Sequence, residues 1–139
     1  IVRDVGRMSF TDRLEDAYRF RTPSLRNVAL TGPYGHNGAY ASLEAMVRHH
    51  LNPRESFETW TPDHLILPEV PWLAHADFLA FEDRLERARL SAQLDIEPKN
   101  LSDEEIDQLV SFLGALTGEA STQGRLGRPS AVPSGLPID

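Results

Sequence analysis

The sequence predicts an all-α, loop-rich domain, and three observations carry that expectation. No segment alternates apolar and polar residues at the two-residue period of a half-buried strand. Residues 101–118 carry an amphipathic helical pattern that begins on a clear start signal. The first 41 residues are punctuated by Pro and Gly in the manner of an ordered loop.

Taken in order, residues 1–41 read as coil and turns. Thr22 precedes Pro23 and is pushed toward extended geometry, while Gly32-Pro33 and Asn37-Gly38 each mark a turn. A loop of this length is uncommon in a compact domain unless it serves a function, and a bound ligand is one way to hold it. Ser42 is placed to cap a helix in which Leu43, Val47 and His50 share one stripe. His49 lies about 100° around from His50, on another face. Asn52-Pro53 is expected to end that helix.

Pro62, Pro68 and Pro71 interrupt the next stretch. Residues 72–94 then read as one helix, with apolar points at Leu73, Ala76, Leu79 or Ala80, and Leu85, and a solvated charged face. In the segment 101–118, Ser102 and Glu105 form a capping box, and Leu101 with Ile106 can form a hydrophobic staple. Asp103, Glu104 and Glu105 complement the positive helix end. The stripe of Ile106, Leu109, Val110, Leu113 and Leu116 needs a partner surface, and Gly118 supplies a stop. Residues 119–139 are rich in Gly, Ser and Pro and read as an extended tail.

A length of 139 residues suits one domain. The net charge of -7 argues against nucleic acid as a partner, because neutralising phosphates requires clustered Lys and Arg. No apolar run approaches the ~20 residues of a membrane-spanning helix. The chain has no cysteine, so disulfides and thiolate metal sites are excluded. His49, His64 and His75 lack metalloprotease-type spacing, and zinc is not expected. Trp60 and Trp72 are expected to fill core space.

The chemistry is concentrated in Phe20-Arg-Thr-Pro-Ser-Leu-Arg-Asn-Val-Ala-Leu-Thr-Gly-Pro-Tyr-Gly-His-Asn-Gly38 and in the helix that follows, which ends in His49-His50. This run resembles the C-terminal haem domain of bacterial di-haem cytochrome c peroxidases and their MauG-like relatives. Their corresponding segment reads Phe-Lys/Arg-Thr-Pro-x-Leu-Arg-Asn-Val-x-x-Thr-x-Pro-Tyr-x-His-x-Gly. The resemblance extends back to Asp4-Val-Gly-Arg7 and forward to the helix at 101–117, with residues 52–100 and the tail matching weakly. It implies a cytochrome c-like helical domain over residues 1–118, incomplete at its N-terminus and carrying an insertion at about 52–100, followed by the 119–139 tail.

Covalent haem c attachment uses a Cys-x-x-Cys-His run, which this cysteine-free chain lacks. The expectation is therefore a C-terminal portion of a larger enzyme, with the attachment motif upstream. Counting fourteen residues on from the motif histidine reaches an axial Met in the peroxidases and a Tyr in MauG-like members; here the same count from His36 reaches His50. His50 is thus the expected axial iron ligand, with His49 the fallback. Two imidazoles on iron lower its potential relative to a Met ligand.

The same resemblance implies that His36 lies near the haem, and that Arg21 and Arg26 pair with its propionates, for which guanidinium forks are suited. Asn27 can bond either haem or backbone, and ion pairs with Asp12, Glu15 or Asp16 are the competing use of the arginines. Calcium is implied through main-chain carbonyls of Thr31 and Pro33. The implied parent reduces hydrogen peroxide with electrons from a small cytochrome or copper protein, or oxidises a partner protein in the MauG manner, and resides in the periplasm. Peroxide cleavage would belong to the upstream haem-bearing portion, so the chain alone is expected to be inactive. A cofactor-free interaction module derived from the same domain is the competing expectation.

Overall fold

The computed structural model describes residues 3–65, 70–72 and 76–122. Along the chain, α1 (Met8–Thr11) and 3-10 turns at Leu14–Asp16 and Val28–Leu30 lead to α2 (Leu43–Leu51) and α3 (Pro53–Thr59). A 3-10 turn at Pro62–His64 precedes α4 (Leu79–Glu82) and α5 (Arg84–Ser91), and α6 (Asp103–Ala115) and α7 (Glu119–Thr122) complete the order. Among the described residues there is no β-strand, only the isolated bridges Gly6–Arg19 and Tyr34–Tyr40. The molecule is all-α and loop-rich, as the sequence predicts.

Local signals explain most of these elements. The Ser42 side chain accepts from the Ala45 amide at 3.1 Å and opens α2. The capping box of α6 is complete, with Glu105 N donating to Ser102 Oγ at 3.3 Å and Ser102 N donating to Glu105 Oε2 at 2.8 Å. Ile106 and Leu113 on its apolar stripe are buried. Gly118 does not act as a left-handed stop, because the positive-φ glycines are Gly6, Gly35 and Gly38. Leu116 caps α6 instead.

One expectation holds with an addition, and those for residues 72–94 are corrected. Asn52-Pro53 ends α2 but also begins α3: Asn52 accepts from the Glu55 amide at 3.3 Å and donates to its carboxylate at 2.7 Å, while Pro53 occupies the first turn, where its missing N–H costs nothing. Residues 72–94 do not make one helix. Asp83, at ψ 105°, leaves helical geometry and accepts from the amides of Leu85 and Glu86, so α4 stops and α5 starts in a new phase. The anticipated stripe consequently fails: Ala76, Leu79, Ala80 and Leu85 are exposed, and Phe78, Phe81 and Glu86 turn inward instead. Leu73 and His75 lie outside the described residues, as does the tail beyond Thr122. Trp72 is 73% exposed and fills no core.

The chain divides into two compact units. The first comprises Ile1–Pro23 and Arg48–Asn100. In it Arg7 N donates to Arg19 O at 2.8 Å, and Gly6 adopts a φ of 61° where a Cβ would lie 2.5 Å from Arg19 O. Its packing centres on aromatics and one arginine: the Arg87 guanidinium sits 4.6 Å from the Phe57 ring centre and 4.8 Å from that of Phe81, and donates to Phe57 O at 3.2 Å. Trp60 meets Phe81 edge-on at 5.1 Å.

The second unit comprises Ser24–Val47 and Leu101–Asp139, and it contains the buried Tyr40, Val47, Ile106 and Leu113. Its loop is tied to the end of α6 by Asn27, whose amide donates to Leu116 O at 3.1 Å.

Candidate functional site

The sequence-derived site residues fall in both units. Arg21, His49 and His50 belong to the first, whereas Arg26, Asn27, Thr31, Pro33 and His36 belong to the second.

In the first unit, His49 and His50 close α2 with their rings edge to face, centroids 5.7 Å apart. The expected stripe of Leu43, Val47 and His50 is corrected at its end: Val47 is buried and Leu43 half-buried, but His50 is exposed and it is His49 that is half-buried. Burial, and then the neighbouring His50 charge, holds the His49 imidazole below its ordinary 6.5. The rotation of about 100° that separates adjacent helix positions thus gives the two histidines different environments. His64 is exposed and lies against Trp60, with ring centres 6.5 Å apart.

Arg21 is exposed and has no ion-pair partner among the described residues. Of the competing carboxylates, Asp16 is engaged by Arg7 at 3.4 Å and Glu15 by Arg13 at 2.8 Å, whereas Asp12 has no ion pair among the described residues.

In the second unit, Arg26 is likewise exposed and without an ion pair among the described residues. Its backbone N–H donates to Ser24 Oγ at 3.2 Å. Asn27, in the left-handed region at φ 58°, directs its side chain to the residue before α7 and to α7 itself: Oδ1 accepts from Gly118 N at 2.8 Å, and Nδ2 donates to Ser121 Oγ at 2.9 Å.

Thr31 closes the Val28–Leu30 turn, its hydroxyl donating to Val28 O at 3.1 Å. Pro33 follows Gly32 through a cis peptide. Tyr34 N donates to Tyr40 O at 2.7 Å and Tyr40 N to Tyr34 O at 3.0 Å, and Gly38 N donates to Gly35 O at 3.2 Å. His36 and Asn37 are thereby the tip of a turn between two positive-φ glycines, with His36 exposed. Among the described residues, no group of three or more His, Cys, Asp or Glu side chains is arranged to hold a metal ion.

One constellation escapes the sequence reading. Glu86 on α5 is 4% exposed and accepts from the Tyr18 hydroxyl at 2.7 Å. Arg89 approaches its other oxygen at 3.2 Å, and Arg3 at 3.8 Å. A glutamate amid three arginines at positions 84, 87 and 89 looks like part of a solvated face, and its tyrosine partner lies 68 positions away. The only local hint is Asp83, whose cap sets the phase that turns Glu86 inward.

Comparison with known proteins gives partial matches. The methylamine utilization protein MauG of Paracoccus denitrificans is 36% identical over 101 residues, covering 71% of this chain and 23% of MauG. The cytochrome c peroxidase IdrP1 of Denitromonas iodatirespirans is 51% identical over 45 residues, covering 32% of this chain and 12% of that protein. The cytochrome c peroxidase Ccp of Escherichia coli is 47% identical over 45 residues, covering 32% of this chain and 10% of the peroxidase. The chain therefore spans under a quarter of the length of each of these relatives. No family model matches, and no solved structure matches. Over part of its length the chain is thus similar to MauG and to bacterial cytochrome c peroxidases.

Proposed function

We propose that this chain supplies one side of a c-type haem site in a peroxidase-like redox enzyme, with His50 as an axial iron ligand and Arg21 and Arg26 as propionate partners. The observation that carries this reading is that Arg21 and Arg26 have neither an ion pair nor a side-chain hydrogen bond among the described residues, a state they share with Arg84, whereas Arg3, Arg7, Arg13, Arg19 and Arg89 have ion pairs and Arg54 and Arg87 have side-chain hydrogen bonds. An unpaired guanidinium presents a planar fork that fits a carboxylate bidentately. His50 is favoured over His49 because its ring is exposed, whereas that of His49 is committed to a half-buried setting.

When bound, haem supplies one-electron redox chemistry. The chain's own residues bind and orient. His36, at the tip of its glycine-flanked turn, is placed to donate to a propionate or to orient a neighbouring ligand. Asn27 contributes by fixing the backbone beside Arg26, and the carbonyls of Thr31 and Pro33 contribute to a calcium site completed by other residues. The thiols for haem attachment, and the groups that cleave peroxide, come from another portion of the enzyme. In this reading the enzyme reduces hydrogen peroxide in the periplasm with electrons from a small cytochrome or copper protein, and the chain alone does not. A MauG-like, protein-modifying oxidase is the second reading, favoured by the longer MauG alignment. A cofactor-free interaction module is the third, favoured by exposed Phe10 and Leu14.

Haem titration of the purified chain tests the ligand assignment. A Soret band that is lost in His50→Ala and kept in His49→Ala supports it. Loss in His49→Ala alone transfers the role to His49. No band in any background overturns the haem reading and leaves the interaction module.

A further inference from the structure

Tyr18 has a φ of 59°, a backbone conformation that bulky L residues rarely adopt. Neighbouring bonds hold it there: Tyr18 N donates to Val5 O at 3.0 Å, Arg19 N to Asp16 O at 3.2 Å, and Arg7 N to Arg19 O at 2.8 Å. The product of this strained placement is the 2.7 Å hydrogen bond from the phenol to Glu86 Oε1. Strained backbone that is over-determined by its surroundings is a pointer to function.

The acceptor is unusual too. Glu86 is 4% exposed, and its two oxygens have separate uses. Oε1 takes the Tyr18 proton bond, while Oε2 faces Arg89 Nη1 at 3.2 Å and Arg3 Nε at 3.8 Å. Both guanidiniums are nearly half exposed, at 45% and 46%. Charge left on them is therefore solvated rather than trapped.

We propose that Tyr18 and Glu86 form a proton-coupled one-electron oxidation site. The phenol gives one electron to a high-potential transition-metal complex acting as an outer-sphere one-electron oxidant, whose metal is reduced by one unit. Its O–H bond breaks, and the proton passes to Glu86 Oε1. A neutral phenoxyl radical and a neutral carboxylic acid result, and the unit positive charge gained appears on the Arg3–Arg89 pair at the solvent edge. Reduction returns one electron to the ring and the proton from Oε1 to the phenolic oxygen.

The chemistry favours this assignment because an oxidised phenol is a strong acid and must shed its proton. A carboxylate already at hydrogen-bond distance accepts it without waiting for water. Before oxidation the proton stays on the phenol, since burial and then the Glu86 bond and charge raise the Tyr18 pKa above its ordinary value. The site needs no haem, so it stands or falls separately from the function proposed above.

Flash-generated tris(bipyridine)ruthenium(III), added to the full chain, tests the proposal. The expected product is a neutral tyrosyl radical, formed with a solvent deuterium isotope effect and at a rate independent of buffer-base concentration. Tyr18→Phe should remove that phase. Glu86→Gln, which can still accept the hydrogen bond but is no base, should slow it about tenfold or more. Persistence of the phase in Tyr18→Phe, an unchanged rate in Glu86→Gln, or a wild-type rate that climbs with buffer base would each overturn the assignment. Should Glu86→Gln fail to fold, the isotope and buffer measurements on the unmodified chain decide the matter by themselves.

Discussion

The side-chain oxygen of Asn27 accepts a hydrogen bond from the Gly118 amide at 2.8 Å. With Asn27 N on Leu116 O at 3.1 Å and Nδ2 on Ser121 Oγ at 2.9 Å, it closes the C-terminal end of α6, where helix carbonyls lack internal partners. Its positive φ suits asparagine, which tolerates the left-handed region better than most residues. Asn27→Gly keeps that backbone accessible but removes the side-chain bonds, and should cost about 1–2 kcal/mol. Asn27→Ala also strains the backbone and should cost about 2–3 kcal/mol. Urea unfolding midpoints separate the two, and equal losses would show that the left-handed backbone contributes nothing.

What was legible in the sequence is what local chemistry determines. The α6 capping box needs only Ser102 and Glu105 three positions apart, and Ser42 likewise announces α2. Asp83 hides inside a run of helix formers, so its capping of Leu85 and Glu86, which divides the run, is masked by propensity. At the candidate site, the residues are readable but their state is not. Whether Arg21 and Arg26 are unpaired depends on where Glu15 and Asp16 find partners, and those partners prove to be Arg13 and Arg7. Glu86 is opaque for a related reason: a glutamate on a charged helix is read as solvated until a tyrosine 68 residues away covers it.

The capping box has a pH signature. Bonds from the Ser102 backbone N–H, and then from its hydroxyl, hold the Glu105 carboxyl below its ordinary 4.5. A depressed folded-state value stabilises the fold above about 4.5, and that contribution is lost as pH falls through the lower value. Ser102→Ala should cost about 1 kcal/mol at neutral pH. Glu105→Gln should flatten this part of the acid limb in a stability-against-pH profile measured by urea unfolding. An unaltered acid limb would show that Glu105 is not linked to folding.

His49 gives a second window, at higher pH. Its folded-state value lies below 6.5 because burial, and then the His50 charge, disfavours the imidazolium. Below about 6.5 the unfolded chain takes up a proton that the folded chain still refuses, so stability falls as pH drops until the folded value is passed. His50→Ala removes the second cause. The His49 ring resonance, followed by NMR titration, should then move its midpoint toward the ordinary value while staying below it. A midpoint that does not move would mean that burial alone sets the shift.

Arg87 is where the first unit spends a charged side chain as packing. Its guanidinium faces two rings, Phe57 at 4.6 Å and Phe81 at 4.8 Å, and bonds Phe57 O at 3.2 Å, so α3, α4 and α5 converge on one planar group. Lysine keeps the charge and much of the stem but has neither the stacking plane nor the fork. Arg87→Lys should therefore cost about 1 kcal/mol, and Arg87→Ala about 2 kcal/mol through the further loss of packed methylenes. A double-mutant cycle with Phe81→Leu should give a coupling of about 0.5–1 kcal/mol for the cation–π pair. Trp60, edge-on to Phe81 at 5.1 Å, supplies a fluorescence probe of the same cluster. If Arg87→Lys matched the wild type in stability while Arg87→Ala did not, the contribution would be charge and stem alone, and the stacking geometry would carry no energy.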